Sequence, residues 1–280
     1  MVDRVALRDT VATMSKVIVI GAGYLGGEIL KVFRDGGWDA EGASLSGGGG
    51  LIGCDVGDPD SVRKLQGANA VVHCASSGRG GEEAYRKVYL DGCRNLVERF
   101  PDARLLFTSS SSVYAQLDGE TVTEESETEP DRETGKILLE AESVVTGAGG
   151  VVARLAGIYG PDRSVLLRKF LAGEAVIEDG GGRFINQIHR DDAARAVFHL
   201  LTAGDFPAGE IFNVADSVTL TQLEVYQGLA RIFSKELPPN GPRDLNRKRG
   251  WTQKRVSNEK LRARGWEPDY PCFFDAVGGL

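Results

Sequence analysis

Residues 16 to 26 read Lys16-Val-Ile-Val-Ile-Gly-Ala-Gly-Tyr-Leu-Gly26, and the chain continues Gly27-Glu-Ile-Leu-Lys-Val-Phe33. A β-branched apolar run of strand length stops at a Gly-x-Gly-x-x-Gly turn, and apolar residues at helical spacing follow it. In such a strand, turn and helix, Gly21 permits the sharp bend, Gly23 lets backbone approach a pyrophosphate, and Gly26 lets the helix lie close to the strand. The first N–H groups of the helix have no partner within it and attract phosphate. With 37 glycines in the chain, a lone glycine pattern carries little weight. The strand before and the helix after make it a dinucleotide site, built from Gly21, Ala22, Gly23, Tyr24, Leu25 and Gly26.

Outward from this turn the alternation continues. Gly36-Gly37 stops the helix, Trp38 to Ser44 reads as a second strand, and Leu51 to Asp55 as a short third. Asp58-Pro59 opens a helix to about Leu65, and Ala70 to Ala75 is a buried strand. Glu82 to Phe100 and Thr134 to Val145 have helical spacing, with strands at Arg104 to Thr108 and Val151 to Leu155. Parallel strands need crossover helices, so the pattern predicts an α/β fold, a Rossmann-type doubly wound parallel sheet. Its ligand belongs at the carboxyl ends of the strands.

Past residue 155 the rhythm changes. Gly157 to Pro161 reads as a loop, Ser164 to Ala172 as a helix and Gly180 to Gly182 as a break. Asp191 to Thr202 is a helix whose opening carboxylates suit its dipole, and Gly209 to Ala215 is a strand returning to the sheet. Segments 222 to 234 and 257 to 264 look helical, separated by a polar, basic stretch from Pro238 to Arg255. The expected division is a dinucleotide-binding domain at 16–155, rejoined by about 189–216, and a smaller C-terminal substrate lobe from 156–188 and 217–280. Residues 1–15 form a helical or disordered extension.

At 280 residues and 41% hydrophobic, the chain can bury a core without disulfides. A net charge of −7 disfavours nucleic acid, whose phosphates need clustered Lys and Arg. The apolar runs are far shorter than a bilayer span and no signal-peptide segment opens the chain, so the expectation is a cytoplasmic protein with no membrane partner. Cys54, Cys74, Cys93 and Cys272 show no Cys-x-x-Cys spacing and no nearby His pairing, and read as reduced, mostly buried residues rather than metal ligands.

From about Val17 onward the chain resembles the short-chain dehydrogenase/reductase superfamily, in its extended and atypical members, the NAD-dependent epimerase/dehydratases. The segments that carry the resemblance are Gly-Ala-Gly-Tyr-Leu-Gly26, Val-Val-His-Cys-Ala75, Tyr-Leu-Asp-Gly-Cys-Arg-Asn-Leu-Val97, Phe-Thr-Ser-Ser-Ser-Ser-Val-Tyr114, Ala-Arg-Leu-Ala-Gly-Ile-Tyr-Gly-Pro161, Ile-His-Arg-Asp-Asp192 and Ile-Phe-Asn-Val-Ala215. The resemblance implies that Asp55 and Val56 border the adenine and that Cys74, Ala75 and Ser76 run beside the dinucleotide. It also implies that the loop from Leu155 to Ile158 approaches the nicotinamide.

The family's chemistry uses a Ser to position the substrate oxygen, a Tyr whose phenolate exchanges the proton, and a Lys that lowers the phenol's pKa. By register the Ser is Ser110, although a serine cluster closing a strand can equally satisfy backbone groups. The Tyr-x-x-x-Lys motif belongs in Asp131 to Glu142, which contains no tyrosine. Keeping Lys136 as the lysine puts Arg132 in the tyrosine's place. Matching Gly135 and Ala141-Glu142 instead puts Thr134 there and Leu138 in place of the lysine, and this register matches more residues. Neither Arg132 nor Thr134 gives up a proton as an activated phenol does. Tyr114 offers a hydroxyl from the neighbouring strand end, or serves as packing. Tyr89 stands where many relatives have Asn. His189 reads as a structural residue, and Asp191 and Asp192 as carboxylates at a helix start.

NAD selectivity calls for an acid at the end of the second strand and NADP for a base. Here stand Ser44, Leu45 and Ser46, with Glu41 in mid-strand by count. The coenzyme is NAD or NADP, and the missing carboxylate leans towards NADP. The expected function is that of an NAD(P)-dependent epimerase/dehydratase-like oxidoreductase acting on a small polar or nucleotide-sugar-like molecule. The rival is a non-catalytic NAD(P)-binding sensor or regulatory module. The helices at 82–100 and 134–145 could pair with their copies in a homodimer.

Overall fold

A computed structural model describes residues 14–78, 80–243 and 251–280. The expected extension at 1–15 lies outside the described residues apart from Met14 and Ser15, as does part of the basic stretch from Pro238 to Arg255.

Strand and helix alternate as β1 (Lys16–Ile20), α1 (Tyr24–Asp35), β2 (Asp39–Ser44), β3 (Ile52–Gly53), α2 (Pro59–Arg63) and β4 (Ala70–His73). A helical stretch follows in three parts: α3 (Glu82–Tyr85), a π-helical turn (Arg86–Asp91) and α4 (Gly92–Arg99). Then come β5 (Arg104–Ser110), a 3-10 turn (Ser111–Val113), β6 (Thr121–Val122), α5 (Glu133–Gly147) and β7 (Val151–Leu155). The later elements are β8 (Gly157–Tyr159), α6 (Val165–Leu171), β9 (Ile177–Glu178), β10 (Phe184–Ile185), β11 (Gln187–His189), α7 (Arg190–Thr202) and β12 (Ile211–Val214). The chain ends with β13 (Leu220–Thr221), α8 (Gln222–Phe233), β14 (Asn240–Gly241), β15 (Arg255–Val256), α9 (Glu259–Ala263) and α10 (Phe273–Ala276).

Seven parallel strands form one sheet in the order β12-β7-β5-β4-β1-β2-β3. The chain runs from β1 outward to β3 and then crosses back to β4 on the other side of β1. The strand order therefore reverses at β1, and a crevice opens at its carboxyl end, where the glycine turn lies. Val17, Ile18, Val19 and Ile20 are all buried, as a strand covered on both faces requires. Helix α1 lies against α7, with Phe33 and Phe198 edge to face at 5.0 Å, and α4 lies against α5.

A second buried cluster joins Tyr159, Leu167, Phe170 and Ile177 to Val225, Leu229 and Phe273, apart from the main core. Trp266 and Leu261 pack instead into the main core. Among the described residues no helix is long and apolar enough to cross a membrane.

Three local expectations are corrected. The segment from Gly157, read as a loop, contains β8, which pairs in parallel with β11. The stretch from Glu82 to Phe100 is not one regular helix, because His73 reaches Val88 O with Nε2 at 2.9 Å and the Gly92 amide bonds Lys87 O, five residues back. A side chain occupying a helical carbonyl and one extra residue in the turn go together. Finally, β4 ends at His73 rather than Ala75, which frees Cys74, Ala75 and Ser76 to face the crevice.

Candidate functional site

The glycine turn is shaped by close backbone approach. Gly21 has φ +98°, and a Cβ there would lie 2.3 Å from Ala75 N; one on Gly26 would lie 2.2 Å from Gly21 O. These two positions therefore admit only glycine, the first because of the strand end beside it and the second because of the turn itself. A Cβ on Gly23 would meet nothing within 4 Å, so this backbone faces open space. No side chain caps α1, leaving its first amides directed at the same space.

That space is a cleft of about 650 Å³. It brings together Gly21, Ala22, Gly23, Tyr24, Leu25 and Gly26 with Ser44 from the end of β2 and Cys74, Ala75 and Ser76 from beyond β4. Ser110 at the end of β5 and Leu155 and Ile158 around the end of β7 complete it. A second cleft of about 470 Å³ adjoins it and shares Tyr85, Ser112 and Leu138 with the first. Its further walls include Thr134, Arg132, Leu117 and Trp251.

Three residues singled out from the sequence stand elsewhere. Asp55 does not line the cleft; its carboxylate accepts from Lys87 Nζ at 2.7 Å and from the Gly57 amide. Val56 is buried, and its carbonyl accepts from Asn95 Nδ2 at 2.9 Å. Lys136 points outward from α5, with its side chain 58% exposed and Glu133 3.9 Å away, over a separate surface hollow. The register that keeps Lys136 therefore places it away from both clefts. Thr134 and Leu138, one helical turn apart, line them from α5 together with Gly135.

Tyr114 contributes to the wall of the second cleft but is itself wholly buried. Its hydroxyl accepts from Arg154 Nη1 at 2.9 Å and donates to Asn213 Oδ1 at 2.9 Å. Arg154 in turn bonds Glu142 through Nη2 at 2.7 Å, and Ser109 Oγ donates to the same carboxylate. Burial pushes the Tyr114 phenol above its ordinary pKa, with Arg154 opposing. A phenol held this way has no face left for a substrate.

Ser110 serves the backbone and the cleft at once, because its Oγ accepts from the Ser112 amide at 3.2 Å while lining the cavity. The phenols that line the first cleft are those of Tyr24, Tyr85 and Tyr89. Tyr24 donates to Pro161 O at 3.0 Å, the Ser77 amide approaches the Tyr89 hydroxyl at 3.4 Å, and Tyr85 meets Tyr89 edge to face at 4.9 Å. Sequence reading missed Tyr85, although its spacing of four from Tyr89 puts both on one helix face. It also missed Ser112, Arg163 and Trp251, none of which has a local pattern that marks it.

The remaining candidates are structural. His189 Nδ1 accepts from the Asp191 amide at 3.3 Å, capping α7. Asp192, fully buried, accepts from the Asp269 and Tyr270 amides at 2.8 and 2.9 Å and so ties the C-terminal segment to α7. Glu41 pairs with Lys16 at 2.9 Å in the middle of β2, away from its carboxyl end. The four cysteines are free, and burial pushes the Cys74 thiol up to about 12, so it is not a thiolate near neutrality. Among the described residues no group of His, Cys, Asp and Glu could hold a metal ion.

Residues 17–215 match the model of the NAD dependent epimerase/dehydratase family. The chain is 29% identical to protein YeeZ of Escherichia coli strain K12 over 282 residues, covering 92% of this chain and 97% of that protein. A solved structure from Methylobacillus flagellatus, described as that of an NAD-dependent epimerase/dehydratase, superposes with a TM-score of 0.80 at 25% identity over 96% of this chain and 98% of the other. The UDP-glucose 4-epimerase of Thermus thermophilus in complex with NAD does so with a TM-score of 0.76 at 19% identity, covering 94% of each chain, a likeness of fold. With the glycine turn, the sheet order and the cleft in place, the chain belongs to the NAD-dependent epimerase/dehydratase family.

Proposed function

We propose that the protein is an oxidoreductase of the epimerase/dehydratase type that holds NAD(P) in the cleft at the glycine turn and a small polar or nucleotide-sugar-like substrate in the adjoining one. The observation that carries this reading is the seam between the two clefts at Tyr85, Ser112 and Leu138. The cleft suits the coenzyme, since backbone at Gly23 is open to it, no side chain among the described residues caps the α1 amides, and none of the described residues lining it is acidic. The bound coenzyme supplies a hydride acceptor or donor. The chain supplies the turn that grips the diphosphate, Leu155 and Ile158 beside the nicotinamide, and Ser110 and Ser112 to orient a substrate oxygen. Tyr85, at the seam, is the phenol placed to exchange a proton in the absence of the usual tyrosine.

With Ser44 and Leu45 where NAD enzymes carry an acid, nothing at the end of β2 repels a 2′-phosphate, which supports NADP over NAD. Residues 156–188 and 217–280 are assigned to the substrate lobe; the separate buried cluster from Tyr159 to Ile177 and from Val225 to Phe273 supports this, while Leu261 and Trp266 fasten it to the main core. A second reading, a coenzyme-binding module without turnover, is favoured by one observation: Leu138 puts an alkyl group where a lysine would tune the phenol.

Calorimetry with NADH and NADPH, followed by a hydride-exchange screen over carbonyl compounds and nucleotide sugars, tests both. Turnover that falls on Ser110→Ala and on Tyr85→Phe, with coenzyme affinity kept, supports the enzyme. Tight coenzyme binding without turnover supports the module, and no affinity for either coenzyme overturns both readings.

A further inference from the structure

We infer that Arg163 is an anion clamp, meeting the diphosphate of the bound coenzyme from the lobe side while the α1 amides meet it from the sheet side. The inference rests on the coenzyme reading above. Arg163 follows β8 and lines the cleft together with Tyr24, the first residue of α1. Its guanidinium carbon lies 5.0 Å from the centroid of the Tyr24 ring. Two further contacts hold it there. The Tyr24 hydroxyl donates to Pro161 O at 3.0 Å, fastening the loop to the glycine turn. Gly160 and Arg163 exchange backbone hydrogen bonds at 3.2 and 3.0 Å across a tight bend in which Asp162 takes φ +60°.

A comparison with Arg190 shows why Arg163 is the cation with charge to offer. Arg190 lies 5.1 Å from the same Tyr24 ring, but its guanidinium is spent on Glu28 at 3.3 Å and Asp191 at 2.8 Å. Arg163 pairs with no carboxylate among the described residues, and none of the described residues lining the cleft is acidic. A planar guanidinium stacked on an aromatic ring presents its N–H edge for paired hydrogen bonds to phosphate oxygens. An uncompensated cation in a cleft of a chain carrying net charge −7 is spent on an anion that the rest of the surface repels. The clamp also gives the bound diphosphate a direct line to the second lobe, because Arg163 stands one residue ahead of Ser164, the N-cap of α6.

The test is isothermal calorimetry of the whole chain with ADP-ribose and with whichever of NADH and NADPH binds the wild type more tightly, at low and physiological salt, on the wild type, Arg163→Met and Arg163→Lys, with melting temperatures in parallel. Methionine keeps the apolar stem and removes the charge. The expected result is about a 10- to 100-fold loss of affinity for both ligands in Arg163→Met, partial recovery in Arg163→Lys, a shallower salt dependence in Arg163→Met, and unchanged melting temperatures. Wild-type affinity in Arg163→Met overturns the clamp and leaves the coenzyme reading standing. A wild type that binds none of NADH, NADPH and ADP-ribose overturns both, and is recognised as such because the failure precedes any substitution.

Discussion

Arg154 Nη1 donates across 2.9 Å to the hydroxyl of Tyr114, 40 residues earlier in the chain. The pair sits in the buried interior, and the Tyr114 hydroxyl donates its own hydrogen bond to Asn213 Oδ1. A tyrosine beside the serine cluster thus becomes a bolt between β5, β7 and β12, and the proposed chemistry at the seam is assigned to other side chains.

Replacing Tyr114 by Phe tests that assignment. The substitution leaves an arginine N–H and an amide oxygen without a partner inside the core, which costs about 1–3 kcal/mol. Urea unfolding should report that loss while calorimetry reports unchanged coenzyme affinity. A variant of wild-type stability that loses turnover would instead put the hydroxyl in the reaction.

The legibility of the fold follows from how local its causes are. The strand-turn-helix at Lys16 to Phe33 depends on β-branched residues, three glycines and a short-range period, all visible within those eighteen residues. Gly135 and Glu142, the matches behind one of the two α5 registers, each have a structural reason: a Cβ on Gly135 would lie 2.4 Å from Pro130 Cβ, and Glu142 takes the Arg154 ion pair. The roles of Tyr114 and Asp192 were hidden because their partners lie far along the chain, at Asn213 for one and at Asp269 and Tyr270 for the other. The elements after β8 read poorly because strands such as β9, β10 and β13 hold two residues each, too short for any period to show.

Lys136→Ala separates the two α5 registers at little cost. The side chain is mostly exposed and its ion pair with Glu133 is long, so the expected change in stability is below about 0.5 kcal/mol. Coenzyme affinity and any turnover should match the wild type. A large loss of turnover in this variant would restore the lysine-keeping register.

The glycine turn offers a sharper contrast between folding and binding. Gly26→Ala drives a methyl into Gly21 O, so thermal melts should show a strongly destabilised protein. Gly23→Ala meets no protein atom, so its melting temperature should match the wild type. Its methyl intrudes where the diphosphate approaches, and NADH affinity should fall about tenfold or more. Equal affinity in Gly23→Ala would show that the ligand lies elsewhere.

Buried Asp216 sets a pH dependence whose sign follows from its surroundings. Burial pushes its carboxyl up to about 7, with the Tyr159 hydroxyl and the His189 amide opposing. The unfolded chain releases this proton near pH 4, as free carboxyls do, while the folded chain holds it until about 7. The unfolded state therefore binds fewer protons across that window, and Asp216 lowers stability progressively as pH rises from about 4 to about 7, by up to about 4 kcal/mol. His73 works the other way. Burial pushes its imidazole down to about 4, so the folded state binds fewer protons than the unfolded one, and its contribution to stability is lost as pH falls from about 6.5 to about 4. The two slopes oppose each other in the wild type, and Asp216→Asn removes only the first while keeping an acceptor for the His189 amide. Urea unfolding across this range should show the variant near wild-type stability at pH 4, gaining steadily on it to pH 7 and holding a constant advantage above. A difference that does not grow with pH would mean that Asp216 is ionised in the folded protein throughout.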